Sequence, residues 1–307
     1  MAKSYYLLTL LLLTTFISFT FAEGEVEPPK IFDFKISNTS YYQEKYFRFL
    51  SNKYEEIESG DFWTTLKEEK GIGFKATDDF GSFILVKDWA MFNFKLKKIV
   101  FRPYCSYTLN GHEFDAEMLL IHTIDNGYYP PGKRIYLGIN YLVISVPFKK
   151  TSDLNPANDK LFHFMSLDLY KNALDKEIKE TLEYLPPRIS PFKSIKLHQI
   201  IQHQPSLLFE SDLTYSPKTK ALHMIFTQFH FISEKDHAML NLAFNKALGI
   251  TSETENEKSY LIPHGEVYRN WQNPEEVAPK ATLMAYNRKE IAKINLHVAF
   301  IIIAVLL

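Results

Sequence analysis

Ten histidines and one cysteine are the chain's most versatile metal ligands and nucleophiles, so any chemistry is sought first in their spacing. Zinc needs three or four lone-pair donors converging on one point. On a strand, donors at i and i+2 share a face. His112, His122, His223 and His230 lie in the β-rich part of the chain, and none of them offers that spacing to another. His112 sits in a turn. His122 falls on an apolar run, where a core histidine is expected. No Ser-His-Asp or Cys-His nucleophile arrangement is legible. Cys105 is the single cysteine, so no internal disulfide is available and the fold must stand on its core. Such a lone thiol is expected to be buried.

The elements that would position these groups are mainly strands. Ser82 to Val86, Asn93 to Arg102, Glu113 to Thr123 and Tyr136 to Val146 are short β-rich runs, divided by turn formers such as Leu109-Asn110-Gly111. Ser206 to Leu213 and Leu222 to Phe231 form a further pair. Leu154 to Leu185 reads as helical, stopped by Pro186-Pro187. Ser233 caps a second helix that runs to about Leu248, with Gly249 as its stop. From Glu27 to Asp79 no clean periodicity stands out. An abundance of Phe (25) and Tyr (18) over Gly (11) also leans toward strands.

With 35 basic and 36 acidic residues the net charge is −1, and no long one-signed run points to a nucleic-acid partner. A hydrophobic fraction of 46% and a charged fraction of 23% describe a folded chain rather than a disordered one. The amino terminus reads as a secretory signal over residues 1–22: Lys3, the apolar run Tyr5 to Phe21, then small residues at Thr20 and Ala22. Asn38-Thr39-Ser40 would then be a glycosylation sequon, with Asn38 as acceptor. Residues 281–307 end in the apolar stretch Leu296 to Leu307. That layout suits a glycolipid-anchor signal and membrane attachment, or a terminal element packed on the domain. Residues 23–280 are read as one domain.

Thr108-Leu109-Asn110-Gly111-His112-Glu113-Phe114-Asp115-Ala116-Glu117-Met118-Leu119-Leu120-Ile121-His122 resembles the most distinctive stretch of the α-type carbonic anhydrases. Ile135-Tyr136-Leu137-Gly138-Ile139 looks like that family's A-V-L-G strand. Glu210-Ser211-Asp212-Leu213-Thr214-Tyr215-Ser216-Pro217 resembles its G-S-L-T-T-P-P element, and Ile232-Ser233 its entry into a late helix. Asn270-Trp271-Gln272 is similar to a closing N-x-R-x-x-Q. Order and spacing agree over residues 76–276, about two-thirds of the chain. The family's opening Q-S-P-I element is not visible. The resemblance implies a mainly β fold with peripheral helices: a large, twisted, mostly antiparallel central sheet around a conical cleft.

In that family three histidines hold zinc, and the metal-bound water, its pKa lowered to about 7, attacks carbon dioxide. Counting from Thr108, the resemblance assigns the ligand positions to Val100, Arg102 and Leu119. Val and Leu have no lone pair to offer, and Arg carries a permanent positive charge. The expectation is therefore a lost zinc site, with no other metal or cofactor. Ser106 and Tyr107 stand where the family has a Glu-His pair, Thr214 matches its retained threonine, and Ser82 after Gly81 aligns with its proton shuttle. Glu117, which there supports the third ligand, is kept.

A buried Glu117 without its histidine needs a new partner, and Arg102 on the neighbouring strand is the expected one. Alternatively, Arg102, Thr214 and Ser106 form a small-anion site. The implied function is a catalytically inactive binding or structural module, secreted or at the cell surface, with an unidentified protein partner. The alternatives are a carbonic anhydrase with a relocated metal site, anion handling at Arg102, or another secreted β protein.

Overall fold

Alternation along one long strand sets up the two faces of the molecule. In Ala90–Arg102, Phe92, Phe94 and Leu96 are buried on one side while Asn93 and Lys95 are half exposed. Then the parity changes. Against Ala116–Ile124 the partners are Leu96 to His122 and Lys98 to Ile121, so Lys97 is an extra residue. A bulge of this kind moves every later side chain to the other face. Ile99 and Phe101 thus continue the first core, and Val100 and Arg102 turn to the opposite side.

The computed structural model describes residues 31–41, 47–54, 56–57, 64–76, 80–87, 90–125, 138–152, 195–197, 201, 205–250 and 259–270. Its early strands are β1 (Phe32–Phe34), β2 (Ser40–Tyr41), β3 (Phe47–Tyr54), β4 (Glu56–Ile57), β5 (Thr64–Leu66) and β6 (Gly71–Lys75). β7 (Gly81–Lys87), β8 (Ala90–Arg102), β9 (Tyr107–Leu109), β10 (Ala116–Ile124) and β11 (Tyr141–Thr151) follow. The rest are β12 (Ile195–Lys196), β13 (Ser206–Leu213), β14 (Ser216–Phe226), β15 (His230–Ser233) and β16 (Tyr268–Arg269), with helix α1 (Glu234–Leu248) between β15 and β16.

The main sheet runs β2-β16-β13-β14-β11-β10-β8-β6-β5, with β7 on the first half of β8, β3 beside β7, and β15 beside the end of β11. Most pairs are antiparallel; β11 runs parallel to both β14 and β15, and β16 to β2. This is the mainly β, large-sheet architecture expected. One face carries the larger core, including Phe94, Phe101, Met118, Leu120 and Ile144. Met239, Leu240 and Ala243 of α1 join that core, so the helix covers this face.

Ser233 caps α1 by accepting from the Asp236 N–H at 3.0 Å, and Gly249 ends it at φ 71°, a conformation that costs glycine nothing. Several expected boundaries shift, among them the run expected from Asn93, which begins at Ala90. Of the run expected over Tyr136 to Val146, Tyr136 and Leu137 lie outside the described residues, and the strand found is Tyr141 to Thr151. The run expected over Glu113 to Thr123 begins at Ala116. The one expected over Leu222 to Phe231 divides into β14 and β15, which pair with different stretches of β11. Residues 1–30, the helical reading of Leu154 to Leu185, Trp271 and Gln272, and the tail 281–307 lie outside the described residues.

Candidate functional site

Register brings Val100, Arg102 and Leu119 together. β8 and β10 pair Val100 with Leu119 and Arg102 with Glu117, and residues two apart on a strand share a face. Val100 and Leu119 sit with Leu66, Ile121, Val143, Leu213 and Ala221 in an apolar cluster on the side away from α1. These side chains do not fit a zinc ion: two offer no lone pair and the third is cationic. Among the described residues no group of three or more His, Cys, Asp or Glu is arranged to hold a metal.

Arg102 and Glu117 are both fully buried, and Arg102 Nη1 lies 3.9 Å from Glu117 Oε2. The remaining guanidinium nitrogens are occupied. Nε donates to the Glu69 carbonyl at 3.1 Å, and Nη2 donates to that same carbonyl and to Thr214 Oγ1 at 3.3 Å. The Tyr104 ring lies 5.8 Å from the guanidinium carbon, within cation–π range. Arg102 therefore fastens the β5–β6 turn, residues 67–70, to the end of β8. Lys98 adds a second tie through the Glu69 carboxylate.

β6 can lie this close because it begins with glycine. A Cβ on Gly71 would stand 2.2 Å from Val100 Cγ1, and one on Gly73 1.8 Å from the Ile99 carbonyl oxygen.

Glu117 is surrounded by donors. Ser145 Oγ donates to Oε1 at 2.6 Å and Ser106 Oγ to the same oxygen at 3.0 Å, while the Ser106 N–H reaches Oε2 at 3.3 Å. Since the Ser145 proton goes to the carboxylate, the Tyr107 hydroxyl, 3.0 Å away, donates to Ser145 Oγ. Burial pushes the Glu117 pKa up, while Arg102, Ser145 and Ser106 pull it back. Every neighbouring hydrogen bond serves the charged form.

Ser106, Tyr107, Glu117 and Thr214 thus join Arg102 in one network. Ser82 does not. It lies on β7 and pairs with Lys95 of β8, seven residues along β8 from Arg102, which is roughly 20 Å of strand. The glycine-led strand that borders the cluster is β6, where Gly71 is followed by Ile72; the alignment at Gly81 took the wrong glycine.

His122 is a core histidine: it is buried, with Nε2 2.8 Å from the Tyr54 hydroxyl and Nδ1 near the Leu120 and Leu142 carbonyls. His112 lies exposed in the Asn110-Gly111 turn. Cys105 is buried, and burial raises its thiol pKa well above the usual range. Asn38 is exposed at the end of a short 3-10 helix.

Sequence reasoning missed three contributors. Ser145 is a polar residue on the apolar strand β11, and its alternation with Leu142, Ile144 and Val146 was the available signal. Glu69 acts through its backbone oxygen, which no side-chain pattern reveals. His223 on β14, named from the sequence only as a candidate ligand and not placed at this site, is buried, and its Nε2 has no hydrogen-bond partner among the described residues. Arg102, Ser106, Thr214 and His223 line a cavity of about 10 Å³, room for about one water molecule.

No family model and no curated protein sequence matches this chain. Its structure does have solved counterparts. Dioscorin, solved in complex with ascorbate, superposes at TM-score 0.55 with 14% identity, covering 81% of this chain and 88% of that one. A halotolerant carbonic anhydrase from Dunaliella salina gives TM-score 0.54 with 9% identity over 81% of this chain and 89% of that one. The chain has the α-carbonic anhydrase fold.

Proposed function

We propose that this chain is a non-catalytic protein of the α-carbonic anhydrase fold, acting as a binding or structural module outside the cell or on its surface. The observation that carries the reading is the buried Arg102–Glu117 pair, set beside Val100 and Leu119 where the resemblance calls for imidazoles. A fixed guanidinium there repels a dication, so hydration chemistry has no metal to run on. Entry to the secretory pathway rests on the apolar leader ending at Ala22, and membrane attachment on the apolar tail. The partner would be a protein met outside the cell.

An anion held by Arg102, Thr214 and Ser106 is the weaker reading. Two of the three guanidinium nitrogens are already hydrogen-bonded, the third faces Glu117, and the adjoining cavity is about 10 Å³. The test is bound zinc together with carbon dioxide hydration on the purified protein after zinc is added. Near-zero zinc and hydration at the buffer rate are expected. About one zinc per chain with hydration above that rate would overturn the reading.

A further inference from the structure

Outside the small chamber at Arg102, the same face of the sheet holds an open cleft of about 480 Å³, within the range of roughly 300–1,000 Å³ typical of small-molecule sites. Its inner wall is apolar: Ile121 and Leu213 are buried there, and Tyr141 and Tyr215 pack half-buried against the same cluster. Thr123, Ser216 and Thr219 also line the cleft and bring hydroxyls to it, those of Ser216 and Thr219 hydrogen-bonded to each other at 2.8 Å.

The charges at the rim cancel. Lys97 and Lys98 face the cleft beside Glu68, and Lys98 is already paired with Glu69, so two lysines meet two glutamates. Arg102, the strongest anion-binding group nearby, is committed to Glu69, Thr214 and Glu117. A carboxylate or phosphate ligand would meet little net positive charge, and a cation little net negative charge. Burial, with Glu69 and Tyr141 nearby, raises the Tyr215 pKa, so its hydroxyl keeps its proton and can donate at any physiological pH.

The ligand that suits an apolar aromatic wall with a hydroxyl rim and no net charge has one C–H face and an edge of hydroxyls. We propose that this cleft binds an uncharged saccharide ring, with the C–H face on Tyr141, Tyr215 and Ile121 and the hydroxyl edge on Thr123, Ser216 and Thr219. The proposal rests on the non-catalytic reading for its assumption that no metal competes in the cleft, and it names the ligand class of that module.

Saturation-transfer NMR on the purified protein tests it, with methyl α-D-mannopyranoside, methyl β-D-galactopyranoside and N-acetylglucosamine as probes and benzoate and methyl phosphate as anionic comparators. Transfer to at least one pyranoside is expected, concentrated on protons of one ring face. Tyr215→Ala should weaken it at least fivefold. Thr123→Val, which keeps the side-chain shape on β10, should weaken it severalfold with the thermal midpoint unchanged. Transfer to none of the sugars overturns the proposal, as does preferential transfer to benzoate or methyl phosphate. Zinc is measured on the same sample: absent zinc with no sugar binding defeats the saccharide proposal alone, whereas stoichiometric zinc defeats the non-catalytic reading.

Discussion

Arg102 Nη1 and Glu117 Oε2 lie 3.9 Å apart with both side chains fully buried, yet Nη1 makes no hydrogen bond among the described residues. The pair is therefore a charge contact supported from behind. Glu117 is held by Ser106 and Ser145, and Arg102 by the Glu69 carbonyl and Thr214. A buried pair of this kind adds little stability over an apolar replacement of similar size, but losing one member strands the other charge.

The first prediction follows from that asymmetry. Arg102→Met and Glu117→Leu should each destabilise the fold by about 3–5 kcal/mol. The double variant should cost clearly less than the sum, with a coupling above about 1 kcal/mol. Denaturant unfolding of the four proteins reads this directly. Strict additivity would mean that the two side chains are independent and the pair is only a proximity.

A second prediction concerns the chamber beside them. Arg102 Nη1 and His223 Nε2 both lack a hydrogen-bond partner among the described residues, and both residues line the cavity of about 10 Å³. His223 bonds the Asp212 backbone, and burial brings its pKa down to about 3, so the ring is neutral and Nε2 presents a lone pair. An unmet buried polar atom costs about 1–3 kcal/mol. One water can accept from Arg102 and donate to His223 or to Glu117. A high-resolution crystal structure is expected to show a single ordered water within 3.2 Å of Arg102 Nη1. Bromide soaked into the same crystals should give no anomalous peak there; a peak would restore the anion reading.

The strands that build this site were legible because their alternation is strong. Ser206–Leu213 and the Ser233-capped helix match their sequence signals, since local chemistry fixes both. Strands β1 to β6 were not legible. Strands β1, β2, β4 and β5 are two or three residues long, β3 breaks its alternation at a bulge between Phe49 and Ser51, and what stabilises β6 is its close approach to β8 through Gly71 and Gly73, a tertiary property. The Arg102–Glu117 contact was legible through the resemblance, which placed both residues in the cleft, together with their opposite charges. Ser82 was misplaced because a lone glycine is a weak anchor for alignment when Gly71, Gly73 and Gly81 lie within eleven residues.

Acid sensitivity gives the third prediction. Burial lowers the His122 pKa to about 4 and that of His223 to about 3, against about 6.5 in the unfolded chain. The unfolded state then binds more protons, so this contribution to stability is complete above pH about 6.5 and is lost as pH falls toward 4 and 3. Glu117 acts in the opposite sense: its raised pKa disfavours folding once the unfolded carboxylate ionises. Unfolding free energy should thus decline between pH 6.5 and 4. His122→Gln, which can still bond the Tyr54 hydroxyl, should flatten that decline. An unchanged slope would show that His122 does not carry it.

The last prediction rebuilds what the resemblance says is missing. Val100 and Arg102 share a face of β8, and Leu119 is the direct partner of Val100, so imidazoles at all three positions would point to one place. Glu117 and its serine donors already stand behind that place, ready to orient a ligand from the second layer. The triple variant Val100→His, Arg102→His, Leu119→His removes the repelling cation and supplies three lone pairs. It is expected to bind about one zinc per chain with tetrahedral N/O coordination by X-ray absorption, at Zn–N distances of about 2.0–2.1 Å. The parent protein should bind none. Two of the three histidines alone should bind at least tenfold more weakly, because each ligand removed must be replaced by water. If the triple variant folds, by circular dichroism, yet holds no zinc, these three positions do not converge on a metal-sized point. The assignment of the site to this corner of the sheet would then be wrong.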